Sequence, residues 1–303
     1  TMKAVVYTQY GSPNHLQLEE LEKPTPKANE VLVKIHAASL NAGDWHLLRG
    51  DPFPVRLMYG LFRPKHTILG SDVAGRVEAV GKNVARFRAL ASKPVHLSLE
   101  QAAAVPMAAV TALQGLRDKG KLQAGQEVLI NGASGGVGTF AVQIAKALGA
   151  EVTAVCSTGK VETVRSLRAD HVIDYSKEDV TRKAQQYDLI LDVAAYRSFR
   201  DYKSILKPQG IYVMVGGNFS SFLRMMAQGS LASRAGGQQF LTLIVKPNQQ
   251  DLVFVKGLLE TSKIKPVIDK CYSLAEVPEA IRYLGAGHAK GKITIVVEAR
   301  DRI

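Results

Sequence analysis

The segment Glu127-Val-Leu-Ile-Asn-Gly-Ala-Ser-Gly-Gly-Val-Gly138 sets Gly132, Gly135 and Gly138 between an apolar strand and an apolar helical stripe. Residues without a β-carbon let the backbone turn tightly and approach a pyrophosphate closely. The free N–H groups and the positive end of the following helix then stabilise its charge. The stripe runs Val137, Phe140, Ala141, Ile144 and Leu148, and Gly149 ends it. This strand–loop–helix context implies a bound dinucleotide, with Ser134, Gly136 and Val137 joining the three glycines as cofactor-binding residues.

The next chemically informative place is about 20 residues further on. Sites that prefer NAD carry a carboxylate there for the ribose 2′-hydroxyl. This chain has Cys156-Ser157-Thr158-Gly159-Lys160. Two hydroxyls and an ammonium suit a 2′-phosphate, so Ser157, Thr158 and Lys160 predict NADPH as the cofactor. The less favoured reading, on composition alone, makes Lys160 a solvated lysine at a helix start.

The elements that must position these residues follow from texture. The first hundred residues hold short β-rich runs broken by Gly and Pro: Met2–Tyr7, Leu16–Leu21, Val31–Ala38 and Ser71–Val80. From Glu127, strands at Val128–Asn131, Val152–Val155, His171–Asp174, Leu189–Val193 and Ile211–Val215 alternate with helical patterns, the last near Gln250–Thr261. Such alternation predicts an α/β fold: a Rossmann-type, doubly wound parallel sheet beside a β-rich domain. Beyond Lys265 the texture is β-like again and ends in Ile293–Val297. The expected organisation is residues 1–106 as the first part of a catalytic domain, 107–264 as the dinucleotide domain, and 265–303 as a segment completing the first.

Composition narrows the function classes. Of 303 residues, 39 are Lys or Arg and 27 Asp or Glu, a net charge of +12. That favours anionic partners, a phosphorylated cofactor included. The positive charges are scattered, with no zinc-finger spacing, RNA-recognition motif or basic helix, so no nucleic-acid partner is expected. No apolar run approaches the roughly 20 residues of a membrane span. The first residues read as a strand rather than a signal peptide, and an intracellular, cytoplasmic protein is the expectation. Cys156 and Cys271 cannot form a disulfide framework or a four-thiolate zinc site, and the seven histidines show no ligand spacing. No metal site is expected.

Taken together, the motifs resemble the zinc-free quinone oxidoreductases of the medium-chain dehydrogenase/reductase superfamily. Within it, the chain is most similar to zeta-crystallin-like enone reductases and the quinone oxidoreductases of the chloroplast envelope. The resemblance rests on Ala37-Ala38-Ser39-Leu40-Asn41-Ala42-Gly43-Asp44, Gly70-Ser71-Asp72-Val73-Ala74-Gly75, Ala103-Ala104-Val105-Pro106 through Thr111-Ala112, and the glycine loop. Ala169-Asp170-His171-Val172-Ile173-Asp174-Tyr175 and Gly291-Lys292-Ile293 extend it over nearly the whole chain. It implies a GroES-like catalytic domain around a Rossmann domain, and a homodimer. It also implies cofactor contacts from Thr111, Tyr175, Val215, Gly216, Gly217, Asn218 and Lys292. Tyr175 is equally readable as a half-buried aromatic at a strand end.

Two departures stand out. Arg168 takes the place of a glycine, which would strain the helix end if that position needs positive φ. Gly81–Phe87 runs directly into Arg88–Pro94, where the family carries a further stretch with a Gly-Asp-x-Val strand and a Gly-rich loop. Losing those strands would open the catalytic domain, so a disordered rather than a deleted stretch is expected.

Zinc-dependent relatives bind the metal through an early Cys and a His in a Gly-His-Glu turn. The matching positions here are Asn41 and Gly70-Ser71-Asp72. Without a Lewis acid a simple ketone is hard to reduce, whereas a quinone or a conjugated enone spreads the charge left by hydride arrival. The expected activity is therefore NADPH-dependent hydride transfer to a quinone or an activated C=C bond. Asn41, Asp44 and His46 are the candidate catalytic residues: Asn41 to bond the substrate oxygen or the ribose, Asp44 to orient neighbours, His46 to donate to the oxygen. Equally open is that Asp44 caps a short helix and His46 lies at the surface. An NADPH-binding protein with a structural or regulatory role is the alternative, and a zinc alcohol dehydrogenase is disfavoured. Two loops, Tyr59–Pro64 and Asn218–Gln238, are expected to shape the cleft. Charge and resemblance both permit peripheral membrane contact, but no amphipathic basic helix supports it directly.

Overall fold

The computed structural model describes residues 1–297 except Arg86, Arg88, Asn218, Ala235 and Gly236, with the backbone path alone for 228–234. It separates into two compact units, Thr1–Met107 with Pro266–Ile303, and Ala108–Lys265.

The first unit opens with β1 (Met2–Val6) and β2 (Gln17–Leu21), an antiparallel pair. Next come β3 (Val31–Leu40), the short helices α1 (Ala42–Arg49) and α2 (Pro54–Tyr59), and β4 (Asp72–Val80). α3 (Leu99–Ala103) starts at Ser98, whose hydroxyl accepts the Gln101 N–H at 3.2 Å, the N-terminal half of a capping box. α4 (Pro106–Leu113) leads into the second unit.

That unit holds β5 (Glu127–Asn131), α5 (Gly136–Ala147), β6 (Glu151–Cys156), α6 (Val161–Arg165), β7 (His171–Asp174), β8 (Tyr187–Asp192), β9 (Leu206–Met214), α7 (Phe219–Arg234), β10 (Gln239–Thr242) and α8 (Gln249–Glu260). Its six strands are all parallel and lie in the order β10-β9-β8-β5-β6-β7. Numbered along the unit, this is 6-5-4-1-2-3, the strand order of dinucleotide-binding sheets, with the switch point between β5 and β8. Val128, Leu129 and Ile130 are completely buried, as expected of a parallel strand covered on both faces. Tyr202, Tyr212 and Phe240 form a tilted aromatic stack that fills one side of the core.

The chain then returns to the first unit with β11 (Ile268–Ser273), α9 (Val277–Gly285) and β12 (Lys292–Val296). β12 pairs antiparallel with β3 and parallel with β11, giving the sheet β11-β12-β3-β4. Leu48 of α1 and Ile281 of α9 close a core over Leu40, Ile293 and Ile295.

Two sequence-based expectations are corrected and a third, at Arg168, is met. The 303-residue chain is continuous from Phe87 to Ala89, so the stretch usual in the family is deleted rather than disordered. The segment expected as a loop from Asn218 to Gln238 is helical over Phe219–Arg234. Phe222 and Met225 lie at helical spacing, and Met225 is buried against the aromatic core. Arg168 does adopt φ 67°, the left-handed conformation a glycine would take without strain.

Candidate functional site

The loops at the carboxyl ends of β5, β6, β8 and β9 share one edge of the parallel sheet, where open α/β folds bind ligands. Gly132 stands at φ 79°. A β-carbon on Gly138 would run into the Gly132 carbonyl oxygen and lie 2.7 Å from the Ala133 carbonyl carbon. Helix and loop are therefore in contact only because that position is glycine. Gly135 caps α5, and the first helical bond to it comes from Thr139 N–H at 2.9 Å. The N–H groups of Gly136, Val137 and Gly138 precede that bond, so they have no intrahelical partner and are left for an anion. A dinucleotide pyrophosphate fits this cradle.

Below the loop, a buried carboxylate ties the switch point together. Asp192, completely buried at the end of β8, accepts from Asn131 Nδ2 at 2.8 Å and from the Tyr212 hydroxyl at 2.6 Å. Burial raises its pKa above the usual carboxylate range. Sequence reasoning missed it, although an acid ending the apolar run Tyr187–Asp192 is a readable signal.

The end of β6 carries Ser157, Thr158 and Lys160, and the end of β7 carries the exposed Tyr175. The Thr158 hydroxyl donates to Asp174 Oδ2 at 2.6 Å. That bond and the Ser176 N–H at 3.0 Å hold the Asp174 carboxyl below its usual range. A carboxylate thus sits among the residues expected to receive a 2′-phosphate, with the Lys177 ammonium 3.9 Å away. Thr111 is buried on α4. Val215, Gly216 and Gly217 follow β9, and Gly217 is held at φ 140° against the carbonyl of Ala195. Asn218 lies outside the described residues.

In the first unit two of the sequence candidates, Asn41 and Asp44, lie by a buried cation. Lys292, 2% exposed at the start of β12, donates to the Leu40 carbonyl at 2.9 Å and to Asn41 Oδ1 at 2.7 Å, and lies 3.5 Å from Asp72 Oδ2. Burial pushes its pKa down, while Asp72 and Asp44 pull it back up. Asp72 also accepts from the Ser39 hydroxyl at 3.1 Å, Asn41 Nδ2 at 2.9 Å and Met107 N–H at 2.9 Å. Asn41 thus spends both ends of its amide on this network, and Lys292 is enclosed by it. Asp72 is the second group that sequence reasoning passed over, although it lies within Gly70–Gly75.

Asp44 caps α1 by accepting the Asn41 N–H at 2.7 Å. Burial lifts its pKa to about 6, against the backbone N–H of Asn41 and the Lys292 charge, which lower it. Its carboxyl therefore titrates near neutrality as well as orienting its neighbours. His46 Nδ1 lies 2.9 Å from the Asp51 carbonyl oxygen. A carbonyl only accepts, so Nδ1 carries a proton and Nε2 is the atom left to act.

The donor set of this cluster does not suit zinc: its carboxylates could ligate the metal, but it offers no thiolate or imidazole and its centre is filled by the Lys292 ammonium. Among the described residues no group of three or more His, Cys, Asp or Glu is placed to hold a metal ion.

Comparison with known proteins gives a consistent likeness. Residues 27–89 match the model of the alcohol dehydrogenase GroES-like domain, and residues 167–295 match that of the zinc-binding dehydrogenase. The chain is 31% identical to a chloroplast envelope quinone oxidoreductase homolog of Arabidopsis thaliana, covering 97% of this chain and 98% of that one. It is 33% identical to the 2-methylene-furan-3-one reductase of Solanum lycopersicum, over 97% and 79% of the two chains. The solved quinone oxidoreductase of Coxiella burnetii superposes with a TM-score of 0.83 at 27% identity, over 98% and 99%.

Proposed function

Because the chain belongs to the medium-chain dehydrogenase/reductase superfamily of oxidoreductases, we propose that it is an NADPH-dependent, zinc-independent reductase of quinones or of the activated C=C bond in α,β-unsaturated carbonyls. The observation that carries the reading is the Lys292–Asn41–Asp72 cluster. Of the positions matching the ligands of zinc-dependent relatives, Asn41 and Asp72 here bond a buried ammonium, Lys292. A substrate that spreads its own developing charge needs no such Lewis acid. Two of the relatives are named for substrates of that kind, a quinone and a 2-methylene-furan-3-one.

In this reading the unit Ala108–Lys265 binds the cofactor. Gly132, Ser134, Gly135, Gly136, Val137 and Gly138 hold the pyrophosphate, and Ser157, Lys160 and Tyr175 receive the 2′-phosphate, while Thr158, whose hydroxyl proton goes to Asp174, drops out as a side-chain donor to it. Thr111, Val215, Gly216, Gly217 and Asn218 serve the nicotinamide end. Bound there, NADPH supplies the hydride. In the other unit, Lys292 fixes Asn41, and Asp44 fixes the first turn of α1. His46 presents Nε2, which donates to a substrate oxygen only while the imidazole carries its second proton. A homodimer accompanies this reading, and sedimentation at micromolar concentration tests it.

The test is NADPH oxidation against a quinone, short enones, a long alkenal and a simple ketone, each with chelator and each repeated with NADH. Turnover of the conjugated substrates that survives chelation and prefers NADPH is expected. Chelator-sensitive turnover, or NADPH binding with no turnover on the whole panel, would refute the proposal. His46→Phe with an unchanged turnover and pH profile would remove His46 from it.

A further inference from the structure

The segment Phe53–Phe62, comprising α2 and the turn after it, holds its apolar side chains outward. Phe53 is 60% exposed, Leu57 62%, Met58 72% and Phe62 85%, and Leu61 is exposed beside them. Monomeric proteins seldom leave so many large apolar side chains together in water unless the patch meets something.

The segment is also held in place with the apolar face out. The Tyr10 hydroxyl donates to the Gly60 carbonyl at 2.7 Å. Arg56 turns inward, donating through Nε to the Gly50 carbonyl at 3.0 Å, with its guanidinium 5.0 Å from the centre of the Tyr10 ring. Gly60 takes φ 123°, and Lys65 N–H closes the turn onto the Tyr59 carbonyl at 2.7 Å. A segment built to pack would point its leucines inward and its arginine outward. Here the arginine anchors the backbone and the apolar side chains face solvent.

The charge around the patch narrows what it meets. Arg63 and Lys65 follow it in the chain and are exposed, and the exposed Arg49 before it lies 3.9 Å from Asp51. From residue 49 to residue 70 the chain has a single carboxylate, Asp51. An apolar face followed directly by the exposed Arg63 and Lys65 is complementary to a bilayer that bears anionic headgroups, where the cations meet phosphate and the apolar side chains enter the acyl boundary. We propose that Phe53–Phe62 docks the protein on an anionic lipid surface, with Phe53, Leu57, Met58 and Phe62 inserted and Arg63 and Lys65 at headgroup level. The docking does not depend on the proposed reaction. It goes beyond that reading by giving a reductase of apolar quinones a place where such substrates dissolve.

The test is sedimentation of the full chain with vesicles of phosphatidylcholine alone and with about one third phosphatidylglycerol, at low and at high salt. Binding to the anionic vesicles is expected. Leu57→Ser with Phe62→Ser should weaken it by about ten-fold or more, and Arg63→Glu with Lys65→Glu should abolish it at low salt. Circular dichroism and thermal melting establish that each variant is folded. Absence of binding to either vesicle would overturn the proposal. So would anionic binding that the serine variants leave unchanged, which would assign it to diffuse positive charge. Self-association that the serine variants abolish, without lipid binding, would overturn it in favour of a second copy as the occupant. Because the readout is sedimentation, these outcomes stand apart from success or failure of the enzymatic panel.

Discussion

Replacing Asp44 by asparagine tests the electrostatics of the catalytic-domain cluster directly. The carboxyl is buried, and its pKa in the fold is about 6 against 3.8 as the ordinary value. A carboxyl whose pKa is raised by folding stabilises the protein below the unfolded value, and that contribution is lost as pH rises through the folded value. The full difference between about 6 and 3.8 is worth about 3 kcal/mol. About 2 kcal/mol of it falls between pH 4.5 and 7.5, because the unfolded carboxyl is already largely ionised at the lower pH. The asparagine side chain has a similar shape and no charge. Its fixed disadvantage, a weaker acceptor for the backbone N–H, is the same at both pH values. Urea denaturation of wild type and Asp44→Asn at the two pH values therefore isolates the ionisation. Relative to wild type, the variant should gain about 2 kcal/mol between pH 4.5 and 7.5. A difference that stays constant, or that turns against the variant at pH 7.5, would show that Lys292 compensates the Asp44 charge fully.

Three other substitutions probe separate parts of the molecule. Gly138→Ala drives a methyl group into the Gly132 carbonyl and should weaken NADPH binding by about 100-fold in a fluorescence titration, since small displacements in a cradle of fixed donors are felt strongly. Lys160→Met should weaken NADPH about ten-fold while leaving NADH nearly unchanged, the loss of one charge-assisted contact to phosphate. Equal effects on the two cofactors would mean that Lys160 does not face the 2′ position. Arg168→Gly relieves a left-handed backbone at φ 67° and should stabilise the protein by up to about 1 kcal/mol in the same urea assay, whereas a loss of stability would show that the arginine side chain outweighs the strain.

Local physics made much of this protein legible from the order of its residues. The glycine loop, its strand and the α5 stripe are encoded within about twenty consecutive residues, because a tight turn, a buried strand and an amphipathic helix each leave a short-range pattern. The same holds for His171–Asp174, which the sequence reading and the structure bound identically, and for the strained position of Arg168. Helix α7 was hidden because its Ser, Met and Gly residues suggested a loop, while the contact that buries Met225 comes from the aromatic core formed by distant strands.

What only the tertiary structure decided is how distant charges meet. Lys292 and Asp72 are 220 residues apart in the chain and 3.5 Å apart in the fold, because β12 returns to pair with β3 beside the start of β4. No local pattern marks Asn41 as bonded through both ends of its amide, Asp44 as a carboxyl titrating near pH 6, or Thr158 as bonded to Asp174. Desolvation and pairing depend on what the rest of the chain packs around a group, so residue types revealed which chemistry was available, and the packing fixed which groups remain free to perform it.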